Sequence, residues 1–159
     1  MDKSALVSKI IAQLDHELAL YERSARAAHA EATDEQSKAE NKYDTRGLEA
    51  SYLARGQSRQ MAETLQAREH YATLPLRDFG PADPIDIGAV IAVEFDGERT
   101  IYFIGPRAGG MEISHEDETV LVITPQSPLG QQIVGQKPSA GLKIALGGRG
   151  RTCRVETIA

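Results

Sequence analysis

Six carboxylates crowd into one polar stretch of this chain: Glu31, Asp34, Glu35, Glu40, Asp44 and Glu49, in and beside TDEQSKAENKYDTRG (Thr33–Gly47). Glu31 and Glu35 are four apart, as are Glu40 and Asp44, so on a continuing helix each pair shares a face. Two carboxylates on one face can hold a hard divalent cation such as Mg²⁺ while water completes its shell. The same residues also suit a plain solvated bend, where polar side chains collect. Lys42, Arg46, Arg55 and Arg59 lie nearby, and suit nucleic-acid contact and exposed helix surface equally well.

The remaining reactive side chains offer less. His16, His29 and His70 have no ligand spacing and read as polar-face residues. Cys153, the single cysteine, lies in the alternating segment Thr152–Val155 and reads as a small strand residue. One cysteine excludes an internal disulfide and fits a reducing compartment. Gly147-Gly148-Arg149-Gly150 lacks the Lys-Ser/Thr and following helix of a phosphate loop, and reads as a hairpin turn.

The elements that must position the acids are helical. Helix formers run from Ser4 to about Ala72, with a bend expected at residues 37–44. Asp2 or Ser4 caps the first helix. Leu6, Ile10, Ile11, Leu14, Leu18, Tyr21, Ala25 and Ala28 then recur in steps of three and four, one stripe of a helix. A second helix begins near Thr45, with Leu48, Ala50, Ala54, Met61, Leu65 and Ala72 available to pack. Its seam is rich in alanine and glutamine and buries little area. The expectation is a slender antiparallel hairpin (a coiled coil) over residues 1–74, each arm ~45 Å long at 1.5 Å per residue, with the acids of residues 34–49 at its tip.

Composition divides the chain after Leu74. All 7 prolines and twelve of the 14 glycines follow it, as expected where helices exclude Pro and turns recruit both. PLRDFGPADP (75–84) is the expected linker, and residues 85–159 the second domain. Strand-like runs follow at Ala89–Phe95, Thr100–Ile104, Met111–Ile113, Val120–Ile123, Leu142–Leu146 and Thr152–Ile158. Asp96-Gly97 marks a hairpin turn, and His115–Glu118 a charged one. Between the strands, Ser127 as N-cap and Pro128 at the first helical position start a short helix that Gly135 stops. The fold class expected is α+β: a long helical hairpin, then a small antiparallel sheet with one short helix. The net charge of −5 is shared evenly by the halves and argues against a strongly basic nucleic-acid footprint. No charged-then-apolar leader opens the chain and no apolar run approaches ~18 residues. A soluble, cytoplasmic protein without membrane contact is expected.

The wording of the second half resembles the Gre transcript-cleavage factors of bacterial RNA polymerase. Val122-Ile123-Thr124-Pro125-Gln126-Ser127-Pro128-Leu129-Gly130, followed by Ile133-Val134-Gly135-Gln136-Lys137 and Gly141, is similar to the family's "IS-x-x-SP…GLIGK…GD" segment. Ile87–Ile91 and Tyr102–Pro106 resemble its "VGS-V" and "Y-IVGP" strands. The resemblance covers residues 85–159, and the hairpin agrees with the family in size and position. It implies an FKBP-like globular half that docks on the rim of the polymerase's secondary channel, with Gln126, Ser127 and Pro128 as the rim-binding loop. The hairpin then enters the channel, and tip acids help hold Mg²⁺ at the polymerase's own catalytic centre, where a backtracked transcript is cut. The factor is then no enzyme itself: it supplies a ligand, binds no cofactor alone and shares Mg²⁺ with the polymerase. Nascent RNA near its 3′ end lies close to Lys42 and Arg46.

Against the family tip D-x-x-E-N-A-E-Y, Glu40-Asn41 aligns with Glu-Asn, and Tyr43 with the tyrosine after a one-residue deletion. The aspartate falls on Ser37, which is not a carboxylate. Asp44 is the nearest acid on the other side of Glu40, and Asp34 or Glu35 approach if the bend differs. The implied pair at the metal is therefore Glu40 and Asp44, only in complex with polymerase. A channel-binding regulator or inhibitor without cleavage stimulation is the sibling reading. From other classes come a peptidyl-prolyl isomerase, for which Phe79, Phe95, Tyr102 and Phe103 are few aromatics, and a coiled-coil interaction protein. The Gre reading implies a monomer.

Overall fold

The computed structural model of the chain describes residues 1–33, 46–95, 97–138, 142–146 and 149–159. Two long helices, α1 (Lys3–Thr33) and α2 (Arg46–Ala72), precede the strands β1 (Val90–Phe95), β2 (Glu98–Ile104), β3 (Glu112–His115) and β4 (Glu118–Ile123). The short α3 (Gly130–Ile133) and the strands β5 (Leu142–Leu146) and β6 (Arg149–Ile158) complete an α+β chain. No helix among the described residues is long and apolar enough to cross a membrane.

By packing, the chain divides into Met1–Ile11 with His70–Ala159, and Ala12–Glu69. The proline-rich segment 75–84 therefore lies inside the first unit and does not separate two. The reason is Phe79, which is 5% exposed and sits in the sheet's core cluster with Ile85, Ile91, Ile104, Ile123 and Ile133. The Arg77 guanidinium lies 3.7 Å over its ring, a cation–π contact. The buried Lys3 ammonium donates to the Arg77 carbonyl.

The start of α1 belongs to this same unit. Asp2 caps it as expected, its Oδ1 accepting from the backbone N–H of Ser4 at 2.9 Å and Ala5 at 3.1 Å. Glu116 Oε1 accepts from the Asp2 N–H at 3.0 Å, and Lys9 Nζ donates to the Ser114 carbonyl at 2.8 Å. Leu6 and Ile10 are fully buried.

In the Ala12–Glu69 unit, Leu14, Thr64 and Ala67 are buried, while Leu18, Tyr21, Gln57 and Met61 are half-buried. Arg68 Nε meets Asp15 Oδ1 at 2.5 Å and ties the two helices together. Burial thins toward Thr33 along α1 and toward Arg46 along α2: Glu22–Ala30 and Tyr52–Gly56 are exposed. Ala25 and Ala28 thus lie off the packed stripe. The seam of α2 also differs from the expected one, since Ala54, Leu65 and Ala72 are exposed and the buried side chains are Thr64, Ala67 and Tyr71. Steps of three and four from Met61 pass through these, whereas Leu65 and Ala72 are each one residue further on, about 100° around the helix. Small and polar side chains make this seam, so hydrophobicity alone misassigns it.

The six strands form one sheet in the order β3-β4-β2-β1-β6-β5. Four of the pairings are antiparallel, but β2 and β4 run parallel, Ile101 opposite Val120 through Ile104 opposite Ile123. The expected all-antiparallel sheet is corrected at this pair. A parallel pair needs a crossover of a dozen or more residues, and the segment from Gly105 to Asp117 supplies it, carrying β3 on the outer edge. Val90–Val93 of β1 are all buried, as befits a central strand covered on both faces. On one face Ile91 and Val93 join the cluster around Phe79; on the other, Phe103 lies 6.4 Å from the Tyr71 ring.

The turns are tight. Phe95 pairs with Glu98, and His115 with Glu118, leaving two-residue connections. Gly97 takes φ +83°, whereas Glu116 and Asp117 adopt positive φ (51° and 62°) without being glycine. His115 is not part of an open charged turn: it ends β3 and is buried, its Nε2 3.3 Å from Glu116 Oε1.

Candidate functional site

The segment that leaves β4 is built around one carbonyl. Thr124 O accepts from the Ser127 N–H at 2.9 Å and from the Ser127 hydroxyl at 2.8 Å. The same Oγ accepts from the Gly130 N–H at 3.0 Å, and Ser127 O accepts from the Gln131 N–H at 2.9 Å. Ser127 Oγ thus takes up the Gly130 N–H from a turn before the helix: α3 begins at Gly130 with Leu129 at its N-cap, two residues later than the Ser127 cap and Pro128 first position expected from sequence. A Cβ on Gly130 would collide with Thr124 O, so only glycine lets the chain double back here. Gln131 Nε2 donates to the Gln126 carbonyl at 3.0 Å and Gln132 Nε2 to the Pro128 carbonyl at 2.8 Å. At the far end Gly135 takes φ +83°, and its N–H donates to Ile85 O at 2.7 Å. Ile133, fully buried, anchors the segment in the core.

The outcome is a fastened loop that offers two side chains to solvent. Gln126 and Pro128 are exposed, and Ser127, held by four hydrogen bonds, is half-buried. Fixed backbone with exposed side chains is what a docking surface needs, because little conformational freedom is left to lose on binding.

A second loop lies beside it as a direct result of the parallel β2–β4 pair, whose C-terminal ends emerge at one edge. Gly105 N–H donates to Ile123 O at 2.8 Å, and Gly110 N–H to Val122 O at 2.8 Å. A Cβ on Gly109 would stand 3.3 Å from Thr124 Cγ2. The last turn of α2 closes on this loop: the buried Tyr71 hydroxyl donates to the Arg107 carbonyl at 2.7 Å, and Arg107 Nε donates to His70 Nδ1 at 3.0 Å. Burial pushes the Tyr71 hydroxyl well above its ordinary pKa of 10.0, because the phenolate would lose its hydration.

Of the sequence-derived site residues, Gln126, Ser127 and Pro128 come together in the first loop. Asp34, Glu35, Glu40, Lys42 and Asp44 lie outside the described residues. Arg46 is the first residue of α2. Among the described residues no three His, Cys, Asp or Glu side chains are grouped to hold a metal ion. Sequence reasoning missed Tyr71 and Arg107 and took His70 for an unengaged surface histidine. No motif flags them, since their roles run through backbone atoms and a contact 36 residues away in the chain.

No family model matches the chain, and no curated protein matches it. Among solved structures it is similar to GreA factor homolog 1 (Gfh1) of Thermus thermophilus, with 17% identity, 94% of each chain covered and a TM-score of 0.36. Similarity to Gfh1 of Thermus aquaticus runs at 15% identity over 92% of each chain, with a TM-score of 0.39. A further structure of the transcription factor Gfh1 shares 20% identity over 93% of this chain and 92% of that one, with a TM-score of 0.39.

Proposed function

We propose that this chain is a Gre-type transcription elongation factor that binds bacterial RNA polymerase at its secondary channel. The observation that carries the reading is the Thr124–Gly135 segment. Its residues follow the family's wording, and five of them have a physical task here: Thr124 and Ser127 fasten the turn, Gly130 permits it, Ile133 anchors it and Gly135 ends it. Gln126 and Pro128 are left facing solvent as contacts for the channel rim.

The finer mechanism follows the same reading. Helices of 31 and 27 residues flank the acidic segment in the chain, and Glu40 and Asp44 supply carboxylates to the Mg²⁺ of the polymerase. Held there by Glu40 and Asp44, the metal would supply the activation of a water for hydrolysis of the transcript's phosphodiester bond. Asp34 and Glu35 are the reserve ligands, while Lys42 and Arg46 approach the RNA. The factor acts as a cytoplasmic monomer and contributes ligands, not a complete active site. A second reading, channel binding without cleavage, is favoured by Ser37, a hydroxyl where the family has a carboxylate.

A stalled, backtracked elongation complex with labelled RNA tests both readings. Wild type is expected to bind and shorten the transcript. Glu40→Ala and Asp44→Ala should bind with unchanged affinity and lose the shortening, whereas Pro128→Ala should lose affinity. Binding without shortening at saturating wild type selects the regulator reading, and failure of wild type to bind overturns both.

A further inference from the structure

The last turn of α2 reaches the docking loop through one hydroxyl, and the path can be followed atom by atom. Tyr71 is 1% exposed. Its hydroxyl donates to the Arg107 carbonyl at 2.7 Å and occupies the space that a Cβ on Gly105 would claim. Gly105 in turn donates its N–H to Ile123 O at 2.8 Å, immediately before Thr124. From the other side of Arg107, Gly109 lies beside Thr124, where an added Cβ would stand 3.3 Å from Thr124 Cγ2. Both routes therefore end at Thr124, whose carbonyl holds Ser127.

We propose that Tyr71 is a positioning residue for the partner-docking loop: its hydroxyl holds the Pro106–Gly110 loop against Thr124 and so fixes the presentation of Gln126 and Pro128. This rests on the docking role proposed above for those two residues. The packing role of Tyr71 is separable from this one. The ring lies near Phe103 and would do so equally in phenylalanine, whereas only the hydroxyl satisfies Arg107 O. A part-buried carbonyl that loses its donor turns to water instead, and the loop carrying it would draw away from Thr124. Neither Gln126 nor Pro128 touches Tyr71 in this scheme; the effect travels through backbone.

Tyr71→Phe tests the assignment by two independent readouts. In the free protein, hydrogen exchange at the Ser127 and Gly130 amides should quicken by roughly three- to tenfold, the size of one lost hydrogen bond, while the β1–β2 amides keep their rates. Unchanged exchange at Ser127 and Gly130 overturns the proposal. On core RNA polymerase, Tyr71→Phe should weaken binding by roughly three- to tenfold and leave the effect at saturation intact. Its loss should be sub-additive with that of Pro128→Ala, since both act on one surface. Unchanged affinity, or strict additivity with Pro128→Ala, overturns it. Should wild type fail to bind polymerase, the docking role falls while the exchange result still decides whether Tyr71 orders the loop. Gly109→Val, which pushes on Thr124 from the exposed side without touching the core, gives the same two readouts if Tyr71→Phe does not fold.

Discussion

Gly130→Ala is the sharpest single perturbation of the Thr124–Gly135 loop. A Cβ there would overlap Thr124 O and stand 2.8 Å from Thr124 C and 3.0 Å from Ser127 Oγ. Two of these three atoms are backbone, so no rotamer change relieves the clash. The loop must open instead, and opening breaks the Ser127 Oγ bonds to Thr124 O and from Gly130 N. Overpacking of a tight site costs about 1–3 kcal/mol, and each hydrogen bond contributes about 1 kcal/mol. The two effects overlap, because relief of one entails the other, so the expected loss is about 2–4 kcal/mol. Urea denaturation followed by circular dichroism reads it as a lowered midpoint at constant slope. Gly56→Ala is the matched control: nothing stands within 4 Å of a Cβ there, and Ala exceeds Gly in a helix interior by about 0.8–1 kcal/mol. If Gly130→Ala proves as stable as wild type, the loop is not built on the close approach to Thr124, and the account of how it presents Gln126 and Pro128 fails with it.

Two further outcomes test the packing and the charges. On α2, Ala67→Glu should lower stability by about 2 kcal/mol or more by burying a carboxylate, while Leu65→Gln should change it by less than about 0.5 kcal/mol. The reverse order in thermal melts would restore the seam expected from hydrophobicity. Glu116 is held below its ordinary pKa of 4.5, first by the hydrogen bond from the Asp2 N–H. A depressed carboxylate pKa adds stability that is present above the unfolded-state value and is lost as pH falls through the folded one. Acid titration of stability below pH 4.5 should therefore be shallower in Glu116→Gln than in wild type, and identical curves would remove the clasp between Glu116 and the start of α1.

Much of this was legible in the chain because local chemistry and burial agree. Alternation with Asp96-Gly97 gives the β1–β2 hairpin, Asp2 caps α1, and the Ser127–Gly135 wording gives the loop and its short helix. What stayed hidden had nonlocal causes. The parallel β2–β4 pair depends on where a crossover lands, which alternation does not encode. The α2 seam is made of Thr64 and Ala67, residue types that read as surface. Phe79 looked like part of a linker because its prolines are visible in sequence and its burial is not. Of the site, the solvent-facing Gln126 and Pro128 stand in wording that the sequence singles out, while Tyr71 and Arg107, joined through a hydroxyl and a backbone carbonyl, left no pattern to find.

The parallel pair also separates what can vary from what cannot. Residues 106–109 and 125–128 both project from one rim, outside the hydrogen-bonded ladders of the sheet. Substitutions of the exposed side chains can therefore accumulate there without shifting a single strand register. A chimaera exchanging those two short pieces together should inherit the donor's binding preference and keep the recipient's melting behaviour.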